Sequence, residues 1–404
     1  MFLPTLTTLA ALLSLSSTTS ASSSHSLSAR SPSKHNHNLA ARAPTVCNGH
    51  AELCDRSYGN VTFIGTHNSY GNGSSIMDNQ GKGVVDQLND GVRTLQVQAH
   101  KGSTGDIRLC HSSCTLLDGG SLTSYLTKVK GWMDANPNEV VSLVIVNIDT
   151  IEPSTYASAF DAAGMTSNVY QPAGAVTAID AWPTLGSMIE SGGRMVVFMD
   201  YAADFNSVGW IIDEFSNMWE DAYDVTDQEF GCNVNRSSGS PTTTLSLTNH
   251  FLDVYGNILG INAWLPNKDL LNETNAETGY GSIGQGAQNC VGLWGRPPNH
   301  ILLDFYDSNG NSPFNVAAQL NGVSAPTNTV EVSEDSKGSN AEASGVAKST
   351  AAATGATSTG GSAARTTTSA LNAAGRSVAS LGSGVWVAGI VAMMVGAGGL
   401  SLSL

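Results

Sequence analysis

Two histidines and one aspartate are the residues best suited to chemistry in this sequence. His67 follows the short apolar run 61–65 (VTFIG). His111 follows Leu109 and Cys110, and Asp304 stands in the run 300–306 between Leu303 and Phe305. One imidazole can take a proton from a nucleophile and a second can protonate a leaving group. A carboxylate beside the first fixes its tautomer and stabilises the imidazolium. A carboxylate inside an apolar run is costly unless paired, and histidine is a natural partner. The residue types alone leave a non-catalytic polar core equally open.

These groups need strand ends to hold them. Runs 61–65, 91–98, 140–148, 194–200 and 300–306 are β-branched or apolar, several without polar alternation, as strands buried on both faces should be. Residues 121–136 place Leu122, Tyr125, Leu126, Val129, Trp132 and Met133 on one helical face, and Asn136-Pro137 stops the helix. Residues 183–191 and 313–320 are further helices, each with Pro near its start. Strand–helix alternation predicts a parallel α/β fold, either a closed barrel or an open doubly wound sheet. No GxGxxG follows the first strand, which argues against a dinucleotide-binding sheet. In a parallel barrel the C-terminal ends of strands carry the chemistry. In the second strand Gln96, Gln98 and His100 share one face, while Leu95, Val97 and Ala99 share the other and can pack under helices. For Asp200, at the end of its strand, substrate contact and a structural hydrogen bond stand equally.

The run Thr66-His67-Asn68-Ser69-Tyr70, then Gly91-Val92-Arg93, Leu109-Cys110-His111 and Asn136-Pro137-Asn138-Glu139-Val140-Val141, resembles the X region of phosphatidylinositol-specific phospholipases C. Leu303-Asp304-Phe305-Tyr306 is similar to the family's late aspartate strand, and residues 150–295 show no such match. The resemblance implies a TIM-type (β/α) barrel that cleaves an inositol- or glycerol-type phosphodiester of a phospholipid. It makes His67 the general base, His111 the general acid and Asp304 the residue that orients His67. It also places Asn68, Gln96 and Gln98 around the substrate; His100, on the same strand face as Gln98, and Asp200 are the further candidates for substrate contact.

The departures from the family pattern are chemical. Bacterial members carry Asp where this chain has Asn68, and a phosphate-stabilising Arg where it has Gln98. Calcium-dependent members bind the ion at places that look like Asn68, Gln96, Gln98 and Asn147. Three charged ligands are thus replaced by neutral amides, and calcium affinity depends on ligand charge. No cofactor or metal is therefore expected. His100 as imidazolium, or Lys101 or Arg108, could supply the missing positive charge. Arg93 is expected to pair with a carboxylate below the barrel mouth. The alternative reading is a catalytically impaired barrel that binds a surface lipid or glycan, or serves in the cell wall.

The chain has 404 residues and a formal net charge of −15. It lacks the basic surface that a nucleic acid or an anionic lipid would require. Membrane attachment is expected from the ends instead. Residues 1–21 resemble a signal peptide. Residues 22–43 read as a disordered or pro-segment, 44–322 as the folded domain and 323–374 as a Ser/Thr/Ala/Gly-rich stalk. Residues 375–404, a polar spacer and an apolar tail preceded by the small trio Asn372-Ala373-Ala374, read as a GPI-anchor signal, with a tail anchor as the rival. The expected location is the cell surface, attached to the plasma membrane or cell wall.

Secretion implies oxidised cysteines and glycans. Six cysteines allow 15 connectivities; local pairing gives Cys47–Cys54, Cys110–Cys114 and Cys232–Cys290, with a zinc site as the weaker rival. Acceptor sequons stand at Asn60, Asn72, Asn235 and Asn272.

Overall fold

The computed structural model describes residues 43–258 and 261–338. The signal peptide, most of segment 22–43, the stalk beyond 338 and the anchor signal lie outside the described residues.

The chain runs β1 (Phe63–Thr66), α1 (Val84–Asp90), β2 (Thr94–Lys101), β3 (Ile107–Cys110), β4 (Asp118–Ser121), α2 (Leu122–Ala135), β5 (Val141–Asn147) and α3 (Pro153–Ala162). It continues through α4 (Leu185–Ser191), β6 (Met195–Met199), β7 (Ile211–Asp213), α5 (Glu214–Asn217), β8 (Met218–Glu220), β9 (Leu245–Asn249), β10 (Asp253–Ile258) and β11 (Ile261–Pro266). The last elements are α6 (Leu271–Thr274), α7 (Ile283–Trp294), β12 (His300–Leu303) and α8 (Ser312–Asn321).

Eight strands pair in the order β7-β6-β5-β2-β1-β12-β9-β8, every neighbour parallel. The sheet curls as an open barrel: its edge strands β7 and β8, consecutive in the chain and joined through α5, are not paired with each other. The expected α/β TIM-type architecture is therefore present. β3 and β4 leave it as an antiparallel arm on the end of β2, and β10–β11 form a separate hairpin.

Strand alternation divides the core. Leu95, Val97 and Ala99 pack in one cluster with Leu122, Tyr125, Leu126 and Val129 of α2, outside the sheet. Phe63, Val144, Phe198, Leu247 and Leu302 belong to a second cluster that fills the barrel, with Tyr58 and Trp182 beneath it. Truncating one such buried leucine to alanine costs about 2–5 kcal/mol. Two polar pairs stand inside: Tyr58 meets Ser142 at 2.7 Å, and Thr94 meets His300 at 2.8 Å.

Ser121 and Ser282 cap α2 and α7 through the amides of Ser124 and Gln285. Arg93 pairs with Glu139 at 2.8 Å, on the side of the barrel where the strands begin.

Packing does not stop at residue 322. Val330 and Ser336 are buried, and Ser333 N–H donates to Asp307 Oδ2 at 2.8 Å. Packing against the domain therefore continues through Ser336, past the stalk boundary expected at 323: this polar segment is held because the Ser333 amide and the Ser336 hydroxyl satisfy the buried Asp307 carboxylate.

All three expected disulfides are present, so the zinc alternative falls. Cys232–Cys290 spans 58 residues, and closing a loop of that size is worth on the order of 4 kcal/mol. Asn60, Asn72, Asn235 and Asn272 are all exposed.

Candidate active site

Register brings the first pair together. β1 and β12 run parallel with Thr66 opposite Leu303, so the next residues, His67 and Asp304, emerge side by side. His67 Nδ1 donates to Asp304 Oδ1 at 2.9 Å. The residues that follow, Asn68 and Phe305, both adopt left-handed backbone (φ 42°), which turns both chains off the sheet. Asn tolerates that conformation; for Phe it costs on the order of 1–3 kcal/mol. Phe251 stacks on the His67 ring with centroids 4.1 Å apart.

Residues 79 and 80 clasp the two strand ends. Asn79 Nδ2 donates to Asp304 Oδ1 at 3.0 Å, and its carbonyl accepts from Phe305 N–H at 2.7 Å. Gln80 Nε2 donates to the carbonyls of His67 and Leu303 at 2.7 and 2.9 Å. No periodic pattern marks these loop residues, and sequence reasoning missed both.

His111 arrives from the β3 arm. Its ring centroid lies 6.3 Å from that of His67. Its Nδ1 bonds the Met77 carbonyl at 2.8 Å, which leaves Nε2 for a ligand. The Cys110–Cys114 disulfide closes the loop, and Gln98 Oε1 accepts from Ser112 N–H at 2.8 Å. Gln96 Oε1 accepts from Asn68 N–H at 2.7 Å. These amides thus brace the loops that carry the histidines.

His67, His111, Asn68, Gln96, Gln98 and Asp200 line one cavity of about 250 Å³. A larger groove of about 370 Å³ lies near the starts of the strands, beside Phe63 and Arg93, and contains neither histidine. His100 is not in the catalytic-end cavity, contrary to expectation. Past Gln98 the strand leaves the barrel to pair with β3, and His100 Nδ1 sits 3.4 Å from Asp149 instead. Lys101 lies on the same departing strand, and Arg108 is engaged by Asp118 at 2.7 Å.

The cation within reach is one the sequence reading did not identify. Arg236 lines the cavity, pairs with Glu220 and stacks against the Tyr223 ring at 4.4 Å; its buried Nε has no partner. Asp253, also overlooked, lines the cavity with an unpartnered carboxylate oxygen. Asp200 makes the structural hydrogen bonds expected as one of its two roles, and it also lines the cavity. Oδ1 accepts from the amides of Asn147 and Tyr201, each at 2.7 Å, while Oδ2 is buried without a partner.

The environment sets the protonation of these groups. Burial works to lower the pKa of His67, but the Asp304 carboxylate and its hydrogen bond, with Asp253 and Asp224, leave it above the ordinary value. Burial holds His111 below it, only partly offset by the Met77 bond. Burial raises Asp200 to about 6 and Asp221 to about 7, and lifts Asp253 beside the Asp304 charge.

The places that match calcium ligands do not suit a cation. Asn147 Oδ1 accepts from Ile151 N–H and Tyr156 OH, and the oxygens of Gln96 and Gln98 hold backbone amides. Among the described residues no cluster of three or more His, Cys, Asp or Glu converges as a metal site.

The PI-PLC X family model ("PI-PLC X 1") matches residues 53–321. The chain is 45% identical over 284 residues to an "Uncharacterized secreted protein" of Arthroderma benhamiae, an alignment covering 69% of this chain and 64% of the relative's own length. It is 41% identical over 263 residues to "PI-PLC X domain-containing protein 1" of the same fungus, covering 64% and 85%. Among solved structures it resembles a phosphatidylinositol-specific phospholipase C of Staphylococcus aureus, with 13% identity, a TM-score of 0.43 and coverage of 70% and 94%. With its curled parallel sheet, the chain is an α/β barrel protein. It belongs to the PI-PLC X domain family.

Proposed function

We propose that this chain is an extracellular phosphoric diester hydrolase, cleaving an inositol- or glycerol-type phosphodiester of a phospholipid by general acid–base catalysis. The observation that carries this reading is the His67–Asp304 pair opening onto the same cavity as His111. His67 Nε2 takes the proton of a hydroxyl next to the phosphodiester, or of a water, and that oxygen attacks phosphorus. The bond from phosphorus to the lipid alkoxide breaks, and His111, protonated on Nε2, gives the departing oxygen a proton. For a phosphoinositide the products are diacylglycerol and an inositol phosphate. Arg236 supplies positive charge to the phosphate oxygens where the family's arginine position holds Gln98. Exposed Tyr201 and Tyr223 beside the cavity suit sugar or headgroup contact.

The sequence ends supply the setting: a signal peptide for export and a GPI signal for retention at the cell surface. The similar fungal protein named as secreted supports export. Among the described residues no helix is long and apolar enough to cross a membrane.

The test is release of water-soluble phosphate ester from phosphatidylinositol and from a GPI-linked substrate by the secreted chain, with EDTA or with calcium. Turnover that survives EDTA and disappears in His67→Ala and His111→Ala supports the reading. A folded protein with no turnover on either substrate favours a binding module, a reading to which the bracing roles of Gln96 and Gln98 also lend weight.

A further inference from the structure

We infer that Asn79 is a positioning residue for His67: in the unliganded site, through the side chain of Asn68, it holds a hydrogen-bond donor against His67 Nε2 and so keeps the lone pair on that nitrogen until a substrate hydroxyl takes the place of the Asn68 amide. This deepens the reading of His67 as general base and rests on it.

The assignment follows from donor and acceptor identities. Asp304 Oδ1 is a carboxylate oxygen and only accepts. It lies 3.0 Å from the side-chain nitrogen of Asn79; the flipped amide would set two oxygens against each other. The Asn79 amide oxygen is thereby turned to Asn68 and accepts from Asn68 Nδ2 at 3.1 Å. On the far side, Tyr70 OH donates to Asn68 Oδ1 at 3.2 Å, which favours the same orientation. The second hydrogen on Asn68 Nδ2 then meets His67 Nε2, 3.0 Å away. A nitrogen that receives an N–H carries its lone pair there. The ring proton sits on Nδ1, where Asp304 accepts it at 2.9 Å; Asn79 Nδ2 also lies 3.3 Å from Nδ1, but its nearer acceptor is the same Asp304 oxygen, at 3.0 Å.

Two influences therefore oppose each other at one ring. Asp304 draws His67 toward imidazolium. The relay resists, because an imidazolium would set an N–H on Nε2 against the N–H of Asn68. The other charged or titratable groups facing His67 are Asp253 on β10, Asp224 in the loop after β8, and His111 on the β3 arm. None of these touches Nε2. Asn79 is fully buried and fixed at its own backbone as well, its N–H donating to the Gly71 carbonyl at 3.1 Å. Asn68 thus has no freedom to flip while Asn79 stays in place.

The test is ¹⁵N NMR of the secreted chain with labelled histidine, titrated without substrate, with His67 assigned from the His67→Ala spectrum. The expected neutral form of His67 has an unprotonated Nε2 and a protonated Nδ1. Asn68→Asp replaces the donor by an anion and raises the His67 pKa, on the order of 1–3 units. Asn79→Ala frees Asn68 to turn its oxygen to the ring and raises it as well. A neutral ring protonated on Nε2, or a His67 pKa unmoved by Asn68→Asp, overturns the inference. The wild-type tautomer needs no variant, so a poorly folded Asn79→Ala leaves the test intact. Phosphatidylinositol hydrolysis is measured on the same samples. A chain with the expected tautomer and no hydrolysis keeps the relay and loses the general-base role.

Discussion

His67 and Asp304 are neighbours because Thr66 and Leu303 are register partners in parallel strands, and the 2.9 Å bond between them ties residues 237 positions apart. Asp304→Asn keeps the shape and removes the charge. With an amide, Nδ1 can be met by an N–H, which favours the wrong tautomer. The expected loss in kcat/KM on phosphatidylinositol is about 10²–10⁴-fold. The same change should lower the His67 pKa, because burial is then left without its main opponent. A variant as active as wild type would remove Asp304 from the mechanism.

The opposite shifts of the two histidines fix how a pH profile should be read. The productive form needs His67 neutral and His111 protonated. His67 is raised and His111 lowered, so the single proton of the intermediate state resides mostly on His67. The rising limb of kcat/KM then follows the titration of His111 and the falling limb that of His67, the reverse of their roles. Site-resolved NMR titration beside the rate profile checks this. In the substrate complex the phosphate anion favours both imidazolium forms, so the kcat profile should move to higher pH.

Buried acids around the mouth make stability depend on pH. Burial raises Asp221 to about 7, with Asn249 N–H opposing at 2.7 Å. Its unfolded value is about 3.9. A carboxyl whose folded pKa is raised gives stability that is whole below the unfolded value and is lost as pH climbs through the folded one. The window is therefore about pH 4 to 7, and the contribution is on the order of 4 kcal/mol. Asp200 acts in the same direction, up to about pH 6. The buried His250 and His300, held below the ordinary value by burial, act the other way below about pH 6.5. The Asp221 contribution is therefore read as a difference between wild type and variant: wild type should lose more Tm than Asp221→Asn between pH 4.5 and pH 8. Asp221→Asn, which can still accept from Asn249, should flatten that dependence. Equal Tm changes with pH in wild type and Asp221→Asn would contradict the buried, protonated state of Asp221.

The sequence disclosed what burial makes periodic. Strands covered on both faces read as apolar runs, so β1, β2, β5, β6 and β12 were legible to within a few residues, and with them the strand-end positions of His67 and Asp304. β7 and β8 have three residues each, too few for any period, and they fall in the stretch without family resemblance. His100 was misplaced because alternation along β2 assumes a strand that stays in the barrel, whereas its last residues pair with β3. Asn79 and Arg236 lie in loops, where position is set by hydrogen bonds across the fold and leaves no local pattern. The cation sought along β2 instead comes from the loop after β8, on the far side of the same cavity.

That cation gives the sharpest test of how the site manages phosphate charge. Arg236 reaches the cavity from a cradle of Glu220, Tyr223 and Phe215, the last ring 5.2 Å from its guanidinium carbon. Aromatic faces hold the guanidinium plane and leave its edge to bind. Arg236→Gln should lower kcat/KM by about 10²–10³-fold, the usual cost of losing one donor to a developing oxyanion. Arg236→Lys keeps the charge and loses the planar fork, so its loss should be smaller. A purely structural role for the Glu220 pair would lower Tm in both variants and leave binding at the cavity alone. Inhibition by inorganic phosphate separates the two: weaker inhibition in step with lost activity makes Arg236 a phosphate ligand. Unchanged inhibition with a lowered Tm makes it a brace for β8.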